Sequence, residues 1–561
     1  MSTLLVEHRT RARSPVKVGR LAVAVALVAL TVVAVGLRVW DLGSVPGLNG
    51  DEAWGGVQVE RWLHGEPVHW TTPTGNPLNP FFFGPQLLLH ALFPPSVTML
   101  RIVPLASGVL ALLINFVLCC RAFDRGTATT STLILALMPL NIAYSRFAWD
   151  TCQTLPAVLV VLYLPLIAVR RYGAEATITA GMMLAVAAAI LIHPTNVFAL
   201  LLPVTIIGCA RREQLIVALR TTSVSARPWV LAALAAIAAG ATFTVWTVAP
   251  RLVGRLHGTD ELGAFAYNYL RFFSGSGIYE YISGAGLAAP GGESFAWVST
   301  ICNLAFAAAA LAALVGMYRR LASEGNSAEV DSLDAALVLG WFAMLAAFFV
   351  VAGPRAIAPH FERYGICLVG PGALVLARGL TWWLDRPGVA GRQAATVLLL
   401  AATIWPASFA WNYFACFRQT GGMSHATFHT AEVEPKLAAL DLVRGASSPG
   451  EEDTIVCSSW WLYWPIAYLA SDNPTLHVVA SETCEPSLAG EKQAPPMPGA
   501  NAGGTRQRSW FIEFTGSDDE ARVMRSLLDL AQNAARHVIF DDAGRAILSV
   551  IGPAEKLSKN Y

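Results

Sequence analysis

The chain has 561 residues, of which 55% are hydrophobic and 14% charged, with a formal net charge of +1 and a mean hydropathy of +0.50. A soluble protein needs far more charge to cover its surface, and a chain without a Lys/Arg-rich cluster lacks the electrostatic footprint of a nucleic-acid binder. Apolar runs of about 20 residues recur, the length that crosses a hydrocarbon core of roughly 30 Å, so an integral membrane protein of mainly α-helical, polytopic class is expected.

Residues 1–20 form a basic N-terminus with Arg9, Arg11, Arg13, Lys17 and Arg20. No small-residue cleavage site precedes Trp40, so the apolar run 21–40 reads as a first span rather than a signal peptide. Its basic flank belongs in the cytoplasm. Further spans are expected near 97–119, 127–143, 152–169, 176–192, 195–210, 229–249, 296–318, 334–352, 364–382 and 393–413. That makes about eleven, with the termini on opposite sides. Expected inside loops carry Arg121 and Arg125, then Arg170 and Arg171, then Arg211, Arg212, Arg220 and Arg227. Later ones carry Arg319 and Arg320, then Arg378, Arg386 and Arg392. The outside loop 41–96 has Arg61 as its basic residue, so the bias puts the N-terminus inside and the C-terminus outside. The outside segment 251–295, with Arg251, Arg255 and Arg271, runs against this bias. At His193-Pro194 one long kinked helix competes with two spans.

The loop 41–96 is rich in Trp54, Trp62, Trp70, Phe81, Phe82 and Phe83. Such rings favour the membrane interface. Residues 52–64 and 84–93 are expected to be short helices on the membrane surface, separated by Pro73, Pro77 and Pro80. The segment 259–289, with Tyr267, Tyr269, Phe272, Phe273, Tyr279 and Tyr281, is similar. Residues 21–415 thus read as a transmembrane domain.

Beyond it, residues 420–561 turn polar and read as an extracytoplasmic α/β domain. Strands are expected at Thr454–Cys457, Leu476–Val479, Trp510–Phe514, His537–Phe540 and Ala546–Ile551. A helix capped by Ser517 and Glu520 carries Met524, Leu527, Leu528 and Ala531 at helical spacing. Residues 487–508 read as a loop. Cys457 and Cys484 have two readings, a disulfide or two buried thiols, because sequence does not supply the bond geometry.

Charged groups collect on the expected outside face: Asp51 and Glu52, Arg101, Arg146 and Asp150, and His360, Glu362 and Arg363. Ionisable residues at membrane depth are costly and point to function by default. Each has a plainer reading. Asp51 and Glu52 can be solvated loop acids, Arg101 and Arg363 interface anchors, Asp150 a helix cap, and His193 a structural residue before Pro194.

The order of these elements resembles the GT-C superfamily of integral-membrane glycosyltransferases, in the branch of the protein O-mannosyltransferases and the lipid A aminoarabinose transferase. The resemblance runs over roughly 37–385. It rests on Gly50-Asp51-Glu52-Ala53-Trp54, Asn79-Pro80-Phe81, Leu100-Arg101-Ile102-Val103-Pro104, Ser145-Arg146-Phe147-Ala148-Trp149-Asp150 and Pro359-His360-Phe361-Glu362-Arg363-Tyr364. It implies transfer of a hexose or pentose from a polyprenyl-phosphate carrier to a hydroxyl on a lipid-linked glycan, lipid A, a polysaccharide or a protein. The reaction would take place at the outer face of a bacterial cytoplasmic membrane, among membrane lipids and without nucleic acid.

By that resemblance Asp51 is the expected general base, with inversion, Glu52 a supporting acid and Asp150 a second acidic position. Arg363, Arg146, Arg101, His360 and Tyr364 are the expected substrate and phosphate contacts. No lysine fills a phosphate role in the first loop. Neither a cofactor nor a metal is expected, since no acidic motif suggests a metal cage. The competing class is a transporter or flippase of a lipid-linked sugar, which predicts polar groups deep within several broken spans. Charges gathered at one face favour the enzyme.

Overall fold

The computed structural model describes residues 20–72, 75–171, 176–210, 259–276, 278, 292–323, 328–357, 362–386, 388–415, 433–447, 452–481, 508–529 and 533–557. The first helices are α1 (Arg20–Val39), α2 (Gly50–Leu63), α3 (Pro80–Leu92), α4 (Val97–Ala122), α5 (Arg125–Leu137), α6 (Pro139–Tyr144) and α7 (Thr154–Arg171). Next come α8 (Ala176–Ile192), α9 (Leu201–Ala210), α10 (Thr259–Ser274), α11 (Gly292–Ser323), α12 (Ala328–Val351), α13 (Glu362–Gly365), α14 (Val369–Leu384) and α15 (Val389–Phe409). The C-terminal part holds α16 (Val433–Ala446), β1 (Asp453–Cys457), α17 (Trp460–Leu469), β2 (Leu476–Ala480), β3 (Arg508–Phe514), α18 (Asp518–Asp529), β4 (Ala534–Phe540), β5 (Ala546–Pro553) and α19 (Ala554–Leu557).

Among the described residues, six helical segments are long and apolar enough to cross a membrane: Val97–Ala122, Asp150–Arg170, Thr300–Ala322, Leu333–Val351, Ile366–Leu384 and Val389–Ala415. Shorter apolar helices cover Val28–Val39, Gly181–Ile192 and Pro194–Cys209. The protein is a multi-pass membrane protein. The expected span 229–249 lies outside the described residues. The expected span 127–143 is not one helix. It breaks after Leu137, because Pro139 has no N–H to continue the ladder and restricts the residue before it; extended Met138 separates α5 from the short α6. At His193 the structure chooses two elements: α8 ends at Ile192, and a 3₁₀ turn, Pro194–Leu200, leads into α9.

Helix α14 lies at the centre of the bundle, buried along nearly its whole length. It crosses α11 at Gly316 and Gly379, where a Cβ on either residue would strike the backbone of the other helix. Small residues are what let membrane helices approach this closely. Arg378, expected as an inside loop charge, is instead a buried residue of α14. Its Nε and Nη2 donate to Asp334 of α12 at 2.8 and 2.5 Å, and its Nη1 reaches Asp124 before α5 at 3.3 Å. Arg320 of α11 donates to the same Asp334.

The C-terminal strands form one mixed sheet in the order β2-β1-β3-β5-β4. β1 runs parallel to β2 and β3, while β5 runs antiparallel to β3 and β4. The strand period of two sends Ile455, Cys457, Trp510 and Ile512 to the face shared with α16 and α17, and Val456, Phe511 and Ile551 to the face covered by Val523 and Leu527 of α18. Cys457 is a buried free thiol, and Cys484 lies outside the described residues. Neither α16 nor α17 was anticipated. α17 (WWLYWPIAYL) is apolar nearly all round, the pattern of a helix buried on every side.

The sheet layer is not separate from the first loop. Leu48, Ala53, Trp54, Val57 and Leu100 share one apolar core with Leu440, Ile455, Trp460, Trp464 and Leu548. Helix α2 therefore lies against α17, and the tight fit shows at Gly56, where a Cβ would meet the Tyr468 ring at 2.6 Å.

Candidate active site

The string Asn49-Gly50-Asp51-Glu52 begins α2 as a capping box. The Asn49 side chain accepts from the Asp51 N–H at 2.7 Å, and Glu52 Oε2 accepts from the Asn49 N–H at 3.3 Å. This geometry separates the two neighbouring acids. Glu52 turns inward and is fully buried. Besides the cap it accepts from Arg101 Nε at 3.0 Å, Arg101 Nη2 at 2.7 Å and the Ala148 N–H at 2.7 Å. Arg101, equally buried, also donates to the carbonyls of Leu42, Pro46 and Gly47. All five of its N–H groups are thereby used, and none is left for a phosphate.

Arg146 is likewise enclosed. Its Nη atoms donate to the carbonyls of Leu37, Arg38, Asp41 and Val45, at and just beyond the C-terminal end of α1, where cations complement the helix dipole. The Phe414 ring covers its guanidinium at 4.8 Å.

Asp51 faces the other way, into a cavity of about 320 Å³. Asp150 lines the same cavity, together with Trp54, Asn79, Phe82, Trp149, His193, Tyr364 and Trp460. Neither Glu52, Arg101 nor Arg146 does. Asp150 opens the 3₁₀ turn Asp150–Gln153, whose N-cap position is Trp149, so capping is not its job. That turn is tied to the start of α3: Asn79 Nδ2 donates to Gln153 Oε1 at 2.9 Å, and Gln153 Nε2 donates to the Phe81 carbonyl at 2.7 Å. Residues 79–81 and 150 are thus held in one frame.

His193 caps the turn before α9, its Nδ1 accepting from the Thr195 N–H at 3.3 Å. The same Nδ1 lies 2.7 Å from the Thr195 hydroxyl. The Tyr364 ring stands 6.2 Å from the His193 ring. His360 and the side chain of Arg363 lie outside the described residues.

Two contributors were invisible in the sequence. Gln153 carried no pattern of its own. Trp460, the first residue of α17, donates its indole N–H to Asp51 Oδ1 at 3.1 Å, bringing the C-terminal layer to the acid across 409 positions. The apolar run 460–469 was the available signal. A larger cleft of about 940 Å³ opens between the ends of α2 and α3 and the α17–β2 connection, and neither Asp51 nor Asp150 lines it. Nearby, His90 of α3 is 2.9 Å from the Tyr468 hydroxyl, and burial lowers its pKa from the ordinary value.

The cavity therefore combines two carboxylates, a histidine, a tyrosine and a wall of aromatic rings. Asp51 sits in the first turn of α2.

No family model and no curated protein sequence matches the chain. Solved structures do. ArnT from Cupriavidus metallidurans bound to undecaprenyl phosphate is 13% identical, covering 95% of this chain and 98% of that one with a TM-score of 0.50. The same protein in the apo state gives 13% identity, 94% and 98% coverage and a TM-score of 0.49. The oligosaccharyltransferase from Archaeoglobus fulgidus in complex with zinc and sulfate is 18% identical, covering 82% of this chain and 62% of that one with a TM-score of 0.46. The chain shares the GT-C fold of that undecaprenyl-phosphate-bound ArnT structure, here with a C-terminal sheet seated on the first loop.

Proposed function

We propose that the protein is a membrane glycosyltransferase that moves a sugar from a polyprenyl-phosphate carrier to a hydroxyl acceptor at the outer face of the cytoplasmic membrane. The observation that carries this reading is the divergence of Asp51 from Glu52: one acid is locked in an ion pair, while its neighbour shares a cavity with Asp150. The fold shared with a protein solved with undecaprenyl phosphate supports the same donor class.

In this reading Asp51 takes the proton from the acceptor hydroxyl as its oxygen attacks the anomeric carbon. The bond from that carbon to the phosphate oxygen breaks, and the polyprenyl phosphate leaves with the electron pair. Configuration inverts. The leaving group is already a stable anion, so the hydroxyl, a poor nucleophile, is what needs help. Asp150 orients the sugar or acceptor. Tyr364 and His193 line the cavity, and Arg363 and His360 are assigned to the phosphate, whose growing charge a cation stabilises. Glu52, Arg101 and Arg146 build the frame. The acceptor class is a lipid-linked glycan, lipid A, a polysaccharide or a protein.

The test uses the purified full chain in nanodiscs with tritiated undecaprenyl-phosphate hexoses and pentoses and membrane extract as acceptor. Wild type should transfer label, and Asp51→Asn should lower the rate by roughly 100-fold or more with an unchanged thermal melt. Near-normal turnover in Asp51→Asn would remove the base assignment.

A further inference from the structure

We propose that Trp460 is the positioning residue for Asp51, so that the C-terminal layer completes the active site rather than merely covering it. This rests on the transferase reading above. The indole N–H donates to Asp51 Oδ1 at 3.1 Å. A carboxylate rotates about its terminal torsion with little preference, so a fixed donor restricts the orientation of the Asp51 carboxylate.

The donor itself is rigidly mounted. Ser458, two residues before Trp460, donates through its N–H and its hydroxyl to the buried Glu513 of β3 at 3.0 and 2.7 Å. Ser459 caps α17. Trp464 meets the Trp460 ring edge-to-face at 5.4 Å. On the other side, Gly50 lets the ring approach: a Cβ there would lie 2.7 Å from Trp460 Cδ1 and 2.9 Å from its Nε1. The residue beside the proposed base thus makes room for the donor to that base.

Two measurements test this. Fluorine NMR of the full chain labelled with 5-fluorotryptophan needs no sugar donor. The Trp460 line, identified by its loss in Trp460→Phe, should follow a carboxylate titration in wild type and not in Asp51→Asn. Kinetics with the tritiated donor form the second arm. Trp460→Phe keeps an aromatic ring and loses the N–H; Gly50→Ala keeps the indole and pushes it away. Both should lower kcat by roughly tenfold or more with KM within about twofold. The acid limb of the pH–rate profile should move to higher pH, because a hydrogen bond favouring the charged acid is gone.

A fluorine line indifferent to Asp51 overturns the proposal. So does a Phe variant with unchanged kcat and pH profile, or one in which KM alone rises, which would make the ring a substrate contact. An inactive wild type whose line still titrates removes the transferase reading and retains the Trp460–Asp51 pairing.

Discussion

Asp51 and Glu52 are adjacent, of one charge, and indistinguishable by composition, yet their surroundings assign them opposite tasks. Removing one partner of a buried ion pair leaves an uncompensated charge and costs about 3–5 kcal/mol. Arg101→Ala should therefore lower the melting temperature and the yield of monodisperse protein in detergent, whereas Asp51→Asn should change neither. Equal melts for both variants would contradict the pairing at 2.7 Å. Glu513 makes a second prediction at this scale. Burial on β3 pushes its carboxyl from the ordinary value of 4.5 up to about 8. Between those values the folded chain keeps a proton that the unfolded chain has released. Stability thus falls as pH rises through this window, by at most about 1.4 kcal/mol per pH unit. Glu513→Gln keeps an oxygen for Ser458 and has no charge to bury. Its melting temperature relative to wild type should rise between pH 5 and 8.5, and a constant difference would refute the shift. The acidic pair was legible in the sequence, as was its place in the first loop. Which acid faces the cavity was not, because that depends on the register of α2 against Arg101, 49 residues away, and on Trp460, 409 residues away.

At the scale of elements, hydropathy located most apolar segments and failed where local chemistry intervened. The run 127–143 is apolar enough to suggest a span, but Pro139 divides it. Arg378 looked like a loop charge because it falls near the end of an apolar run. In the structure it is buried in α14, and its bidentate partner is Asp334 of α12, a helix whose N-terminal residues include several acids. No single-sequence pattern links positions 334 and 378. The link has a testable cost. Asp334→Ala should destabilise the detergent-solubilised protein by roughly 3–5 kcal/mol, and Asp334→Ala combined with Arg378→Leu should recover part of that loss, since an apolar pair avoids the stranded charge. A double variant no better than the single one would mean that the network with Asp124 and Arg320 does more than satisfy Arg378.

For the whole molecule, the shared core sets a rule that loop charges alone did not supply. Leu48, Trp54 and Val57 pack with Ile455, Trp464 and Leu548, so the first loop and the sheet lie on one side of the membrane. The chain between them must therefore cross an even number of times. If α1 crosses once, as the sequence leads one to expect, the total is odd, in keeping with the expected eleven. The rule can be checked with single cysteines at exposed positions, scored against the unsubstituted chain with a membrane-impermeant maleimide. Glu66→Cys in the first loop and Arg525→Cys on α18 should label together in intact cells or together only after permeabilisation. Arg121→Cys, at the far end of the spanning helix α4, should show the opposite behaviour. Were Arg525→Cys to label with Arg121→Cys instead, the sheet and the loop would face different compartments. Trp460 could not then reach Asp51, and the candidate site would have to be built without the C-terminal layer.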